Sequence, residues 1–474
     1  MSLTERYGRL AAAGSTMPPL ALCSLAAVCR NNGFAVSIID AACGELSHEQ
    51  VVDALVSRKP RYVGITAMTC GIHSAARIAN LIKRKRPDIL TLIGGPHVTA
   101  LPAETMRIFP EFDVGCIGEG EETLVDYMRA MQAGSSGDNV SGLVHRKGGA
   151  ICLSGARPFI EDLNSLPFPA WDLLEGFPDR YVPAAIRCRR LPASHLVTSR
   201  GCPMKCTFCD RSVFGNRYRL FSVEYTFEMI KTLVNTYNVR DILFEDDSFT
   251  LHKERVLALC ELIGKNNLRF SWSCLGRVDS IDATLLKIMR RAGCWQIGFG
   301  IESGNAGILD SVHKSIDLDR IREALAVTRR ARILTKGFFV LGLPHETPDS
   351  IRETIRFAKT VALNDISVSF CTPFPGTVLG EHARESGDVD PDWNKMNLMN
   401  AVFVPKGFTK KQLEEFHAAF FRQFYFRPGI ILDYVFRCIR NPGLLWRILW
   451  ILPSFFHPAF RKAARSRPLV STHR

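Results

Sequence analysis

Three cysteines, Cys202, Cys206 and Cys209, fall within eight consecutive positions of the stretch "TSRGCPMKCTFCD", residues 198–210. Thiolates are soft ligands, suited to zinc and to iron–sulfur clusters. A structural zinc site takes four ligands, often as two pairs, and no second C-x-x-C pair follows Cys209. A four-iron cluster usually takes four thiolates. Three thiolates bind three irons and leave the fourth open to a substrate or cofactor, just as an open metal position marks a catalytic zinc site. The competing reading is a loop of three free thiols.

The chain that must position this loop has 474 residues, room for two or three domains with their own cores. Its 46% hydrophobic and 23% charged content is that of a folded soluble protein. The 15 cysteines are scattered and odd in number, which argues for a reducing, cytoplasmic setting and against a disulfide framework. The opening "MSLTERYGRLAAAGS" has no apolar core of signal-peptide length, and no uninterrupted run of about 20 apolar residues appears further on. A net charge of +13 suits nucleic acid, an anionic membrane face or an acidic substrate. The excess is mostly a property of the tail: from Lys406 onward the only acids are Glu414, Glu415 and Asp433. No recognised RNA- or DNA-binding module is present, so no nucleic-acid partner is expected.

The first third alternates short Val/Ile-rich runs with helical patterns. "FAVSIID" (34–40), "YVGITAM" (62–68), "LTLIGG" (90–95) and "DVGCIG" (113–118) read as strands, and "HSAARIANLIKRKRP" (73–87) as a helix between them. This alternation predicts a Rossmann-like parallel sheet covered on both faces, with ligands at the carboxyl ends of the strands. A doubly wound domain normally opens with a strand. Here a polar stretch and a helix over 19–32 come first, which leaves the sheet short of its first, central strand unless sequence upstream of Met1 supplies it.

Residues 146–190 read as a connector rich in Pro and turn residues. The alternation then resumes. "SHLVTSR" (194–200), "DILFEDD" (241–247), "FSWSCLGR" (270–277), "WQIGFGIE" (295–302), "TKGFFVLG" (335–342) and "DISVSF" (365–370) are six strand candidates separated by helices. Six βα units predict a partial (β/α)6 TIM-type barrel whose chemistry sits on the loops after the strands. The fold class is therefore α/β. The expected division is 1–145 for the N-terminal domain, 146–190 for a linker, 191–385 for the barrel and 386–474 for a helical, basic C-terminal region.

The C-x-x-x-C-x-x-C spacing, with the aromatic Phe208 just before the third cysteine, resembles that of the radical SAM enzymes. The resemblance implies a 4Fe-4S cluster on Cys202, Cys206 and Cys209 whose open iron chelates S-adenosylmethionine. Electron transfer then cleaves the sulfonium to a 5′-deoxyadenosyl radical. It further implies cofactor contacts at Phe208, at Asp246 and Asp247 in "FEDDSF" for the methionine ammonium, at Arg277 in "GRVD" for the carboxylate, and at Glu302 in "GFGIESG" for the ribose. Each of the four charged residues could equally be a surface charge at a strand end.

The order "YVGITAMT…IGGPHVTALP…GCIGEGEET" resembles the cobalamin-binding domain that precedes many radical SAM domains, over roughly residues 17–130, and the two-domain resemblance runs to about residue 385. It implies that Thr66, Thr69, Gly94, Gly95 and Glu119 line the corrin and its nucleotide tail. The D-x-H-x-x-G motif is absent, and neither His73 nor His97 fits it, so no histidine cap on the cobalt is expected. A degenerate domain that binds nothing is the alternative.

The function this resemblance implies is methyl transfer to an unactivated carbon or phosphorus of a small-molecule substrate, with a flavodoxin- or ferredoxin-type electron donor. The alternatives are a non-methylating radical cyclase or rearrangement enzyme of the same plan, and a non-catalytic cobalamin or iron–sulfur sensor. The tail segment "GLLWRILWILPSFFHPAF" (443–460) is aromatic, apolar and flanked by basic residues. It fits either a helix packed on the barrel or a peripheral contact with the inner face of a membrane, and it favours a lipid or other hydrophobic substrate.

Overall fold

The computed structural model describes residues 14–441 and 443–449. The opening segment through residue 13 lies outside the described residues, as do Trp450, Pro453, Phe455 and Phe456 of the tail.

The N-terminal sheet has five strands in the order β1 (Tyr62–Thr66), β2 (Leu90–Gly94), β3 (Val114–Cys116), β4 (Leu143–Lys147) and β5 (Ala150–Leu153). The first three are parallel, with Thr66 opposite Gly94 and Ile93 opposite Gly115. The connecting helix Ile72–Lys85 buries Ile72, Ala75, Ala76, Ala79 and Ile82, one face at helical spacing, and its alanines let it lie close to the sheet. Two expectations are corrected. The sheet is not all parallel, because β4 and β5 form an antiparallel hairpin that carries it past residue 145 to Leu153. The hairpin turns at Gly148 and Gly149, with φ of 56° and 83°, the left-handed pair such a tight turn needs. The segment 34–40 is not a strand. Among the described residues it has no ladder partner, and its alternating Val36 and Ile38 pack instead on Ala26 and Ala27 of the helix Leu20–Asn31 and on Ala170.

The second sheet has six strands, all parallel. They run in sequence order from β6 (Ala193–Leu196) through β9 (Asp241–Phe244), β10 (Ser271–Gly276), β11 (Cys294–Glu302) and β12 (Leu334–Leu341) to β13 (Asp365–Phe370). Each βα unit lays its strand beside the last, and the sheet stops after six as a half-barrel with β6 and β13 at its edges. A short antiparallel ladder, β7 (Ser199–Arg200) with β8 (Arg219–Leu220), closes the base of the cysteine loop. The β13 edge is covered by the helix Lys410–Tyr425. That helix buries Leu413, Phe420 and Phe424, and its His417 ring lies 3.1 Å from the Val368 carbonyl.

Candidate active site

The cysteine loop sits beyond the carboxyl end of β6 and is fastened by its neighbours. Gly201 has φ +83°, and a Cβ there would stand 2.3 Å from the Arg217 carbonyl, so only glycine lets the two arms of the loop close. The Thr207 N–H donates to the Val312 carbonyl (3.1 Å), and the Leu379 N–H donates to Thr207 (2.9 Å). Phe208 packs among Ile308, Val312, Leu343 and Leu379, which makes it an anchor of the loop.

Two cations and two acids act electrostatically on the thiols. The Cys209 thiol hydrogen-bonds to Cys206, and this, with Lys314 and Arg277 and against burial, holds Cys206 down to about 6. Cys202 is pushed up by burial, with Asp247 adding to the shift. Arg277 is fixed by a two-pronged pair with Asp279 at 3.0 and 2.6 Å, and its charge acts on both Cys202 and Cys206. Lys314 Nζ lies 2.8 Å from Glu302 Oε1, and its charge acts on Cys206 and Cys209.

The paired aspartates differ. Asp246 is enclosed at 1% exposure and accepts hydrogen bonds from the Thr198 N–H and hydroxyl (both 2.9 Å) and from Ser199. It holds β9 to the strand end that launches the cysteine loop. Asp247 is exposed and lies within the field of Cys202, and desolvation raises its pKa. Asp247, Arg277 and Glu302 thus act electrostatically on the cysteines, while Asp246 is tied through Oδ1 to the end of β6 and its Oδ2 is buried without a hydrogen-bond partner.

The N-terminal domain meets the same mouth. A Cβ on Gly376, in the loop after β13, would stand 2.9 Å from Ala100 Cβ and 3.4 Å from Asp210 Oδ1, and Gly118 faces the Val213 carbonyl at 3.9 Å. Between the domains lies a buried ion cluster. Arg200 reaches Glu119 (2.6 Å) and Glu121 (2.5 Å), Arg219 reaches Glu119 (2.7 Å), and the Ile160 N–H donates to Glu119 (2.9 Å). All four charged side chains are at most 8% exposed. Burial works against the Arg200 charge, and Glu121 and Glu119 more than offset it. Glu119 is therefore committed to the domain junction.

The other candidates for that ring lie at the carboxyl ends of β1 and β2. Thr66 is exposed, as is its neighbour Met68 at 47%. A Cβ on Gly94 would meet nothing within 4 Å, whereas one on Gly95 would press on the Ala67 carbonyl at 2.8 Å. Thr69 is buried, 3.4 Å from His97 Nδ1, and His97 Nε2 is buried without a hydrogen-bond partner. Trp393, from the segment after the half-barrel, stands edge-on to His97 with ring centres 4.5 Å apart. Sequence reasoning missed Lys314, Arg200, Arg219 and Trp393. A basic residue next to the cysteine motif was the one available signal, for Arg200.

The residues fit the groups their resemblance implies. Three thiols on one loop, two cations beside them and a free carboxylate at Asp247 suit a thiolate-held cluster and the charged ends of an amino-acid ligand. Among the described residues no group of three His, Cys, Asp or Glu side chains is placed to hold a single metal ion. The open backbone at Gly94 beside Thr66 and Met68, with an orphaned His97 nitrogen nearby, suits a large planar ligand with polar edges.

A half-barrel with a thiolate loop after its first strand, faced at the mouth by a Rossmann-like sheet, defines a two-module α/β enzyme that sets an iron–sulfur site against a second cofactor platform. Residues 8–127 match the B12 binding domain and residues 196–358 the Radical SAM superfamily. The uncharacterized methyltransferase PH0819 of Pyrococcus horikoshii is 32% identical over 425 residues, 89% of this chain and 91% of its own. The anaerobic magnesium-protoporphyrin IX monomethyl ester cyclase of Rubrivivax gelatinosus is 28% identical over 87% of this chain and 75% of its own. The fold is that of the cobalamin-dependent S-adenosylmethionine radical enzyme OxsB, solved with aqua-cobalamin and S-adenosylmethionine. The TM-score is 0.71 at 19% identity, over 92% of this chain and 70% of that one. The chain belongs to the cobalamin-binding radical SAM enzymes, and its cofactors are a 4Fe-4S cluster, S-adenosylmethionine and cobalamin.

Proposed function

We propose that this enzyme transfers a methyl group to an unactivated carbon or phosphorus of a small-molecule substrate through a substrate radical. The observation that carries the reading is the 32% identity to a methyltransferase across nearly the whole of both chains. When bound, the cluster and S-adenosylmethionine supply the hydrogen-abstracting radical, and cobalamin supplies the methyl group. The protein's part is to hold, orient and exclude water. Cys202, Cys206 and Cys209 hold the cluster. Asp247 faces the ammonium of the amino-acid ligand, and Arg277 its carboxylate. Thr66, Met68 and Gly94 form the platform for the corrin. The ion cluster of Arg200, Arg219, Glu119 and Glu121 fixes one platform against the other. An external reductant of flavodoxin or ferredoxin type completes the cycle.

The identity to a radical cyclase supports a second reading, ring closure without methylation. Product analysis with methyl-labelled S-adenosylmethionine separates the two: label in the product supports the methylase, and an unlabelled, cyclised or rearranged product replaces it.

Peripheral contact with an anionic membrane is a further reading, for which the helix Pro428–Arg440 offers an exposed apolar face. Its Ile431, Leu432, Val435, Phe436 and Ile439 form one face at 46–68% exposure. No helix among the described residues is long and apolar enough to cross a membrane.

A further inference from the structure

Five of the six half-barrel strands are entered through an exposed arginine. Arg190, Arg240, Arg269, Arg291 and Arg332 stand within three residues ahead of β6, β9, β10, β11 and β12. These strands are neighbours in that order, about 4.8 Å apart, so the arginines form a row along the amino rim, the end opposite the cysteine loop. Ladder hydrogen bonds fix the row: the Arg240 N–H donates to the Pro192 carbonyl (2.8 Å), the Ser271 N–H to the Arg240 carbonyl (3.0 Å) and the Trp272 N–H to the Gly293 carbonyl (3.2 Å). Arg190, Arg269 and Arg291 line one cleft of about 270 Å³, with Asn267 and Phe270 in its wall. Among the described residues none of the five guanidinium groups forms an ion pair. The Asp241 carboxylate beneath them is fully buried and accepts from the Arg189 N–H (2.6 Å), Ser271 (2.6 Å) and Trp295 (3.1 Å). Helix carboxyl ends attract cations, but that attraction fades within the last turn. Arg240 and Arg269 lie past it, since their helices end at Asn235 and Lys265, and no helix leads into Arg190.

The helix Pro428–Arg440 crosses the same rim. Its Asp433 accepts a hydrogen bond from Asn364 at the foot of β13 (3.3 Å), and just past its end Asn441 donates to the Arg189 carbonyl at the foot of β6 (3.0 Å). Ile430 and Tyr434, one turn apart, look inward, with the Tyr434 hydroxyl 3.4 Å from Asp365 Oδ1. Ile431, Leu432, Val435, Phe436 and Ile439 therefore face away from the strand ends, the direction in which the arginine row is exposed. An apolar face bordered by unpaired guanidinium groups complements a surface of anionic phosphates over an acyl interior. A nucleic acid or an acidic protein would use the arginines and leave the five apolar side chains in water.

We propose that the amino rim of the half-barrel docks on an anionic phospholipid surface, with Arg190, Arg269 and Arg291 holding headgroup phosphates beside the embedded face of the helix Pro428–Arg440. The proposal rests on the membrane reading of that helix and adds to it the headgroup site and the orientation. The mouth that carries the cysteine loop then faces away from the lipid and stays open.

The test is flotation of the reconstituted full chain with phosphatidylcholine vesicles, with and without phosphatidylserine, at low ionic strength. The wild type is expected to float only with the phosphatidylserine vesicles. Arg190→Gln/Arg269→Gln/Arg291→Gln is expected to bind them on the order of 100-fold more weakly, roughly fivefold per arginine, with its denaturation midpoint unchanged. Replacing the same three arginines with Lys keeps the charge and is expected to preserve flotation. Should the triple Gln variant fail to fold, the three single Gln variants carry the same test at roughly fivefold each. A triple Gln variant that floats like the wild type, while Phe436→Glu/Ile439→Glu does not, overturns the headgroup site and leaves the membrane reading standing. A wild type that floats with neither vesicle overturns both. Wild-type binding to a duplex DNA oligonucleotide that the triple Gln variant loses, without flotation, replaces the lipid with nucleic acid.

Discussion

Glu346, just past β12, hides a carboxyl at 2% exposure that accepts N–H bonds from Gly342 (2.6 Å) and Leu343 (3.2 Å). Burial raises its pKa from 4.5 to about 8. The folded state therefore takes up a proton between those values. Its contribution to stability is full below pH 4.5 and is lost as pH rises toward 8, a loss on the order of a few kcal/mol. Glu346→Gln keeps the acceptor and removes the titration. Urea midpoints at pH 5 and pH 8.5 should fall for the wild type and differ less for the variant; an equal fall in both would assign the pH dependence elsewhere. At this scale the sequence shows what is local. Three cysteines on one loop carry a ligand count in their spacing, and that is why Cys202, Cys206 and Cys209 stand out in the sequence. Lys314 does not, because a turn brings it to Glu302 from a separate helix end. Asp246 and Asp247 look alike in sequence, and burial alone separates the strut from the free carboxylate.

The elements that matter most are the two ends of the ion cluster, the β3 loop and the β7–β8 ladder. Glu119→Gln leaves Arg200 and Arg219 buried with weakened partners, and breaking such a pair costs about 3–5 kcal/mol. A denaturation midpoint lowered by that scale, with cobalamin binding weakened as the platforms loosen, is the expected outcome. Unchanged stability would mean that the junction is held by apolar packing alone. Element types were largely readable, since all six half-barrel strands and the helix near Ile72 follow from period and composition. The β4–β5 hairpin was missed inside what read as a connector, although Gly148–Gly149 between Val/Ile-bearing runs is a turn signal. The segment 34–40 alternates like a strand, but alternation reports a half-buried extended chain, and only a neighbouring edge makes it a strand.

Over the whole molecule, two cofactor platforms meet at one mouth, and among the described residues the apolar face of the helix Pro428–Arg440 stands in the open. That face should bind vesicles containing anionic lipid at low ionic strength and release them with salt, each nearby basic residue contributing about 1 kcal/mol. Phe436→Glu with Ile439→Glu should abolish flotation and leave the denaturation midpoint unchanged. A wild-type chain that does not float removes the membrane reading. The two-domain plan was legible from the order of the motifs, while the ion cluster and Trp393 that join the domains involve residues distant in sequence and carried no such signal. The central claim is that Cys202, Cys206 and Cys209 hold one four-iron cluster whose fourth iron takes S-adenosylmethionine. Electron paramagnetic resonance of the reduced, reconstituted chain tests it most directly. One cluster signal that changes shape when S-adenosylmethionine is added, and that the triple Cys→Ala variant lacks, is the predicted result. A full cluster signal in the triple variant, or a wild-type signal indifferent to S-adenosylmethionine, would contradict it.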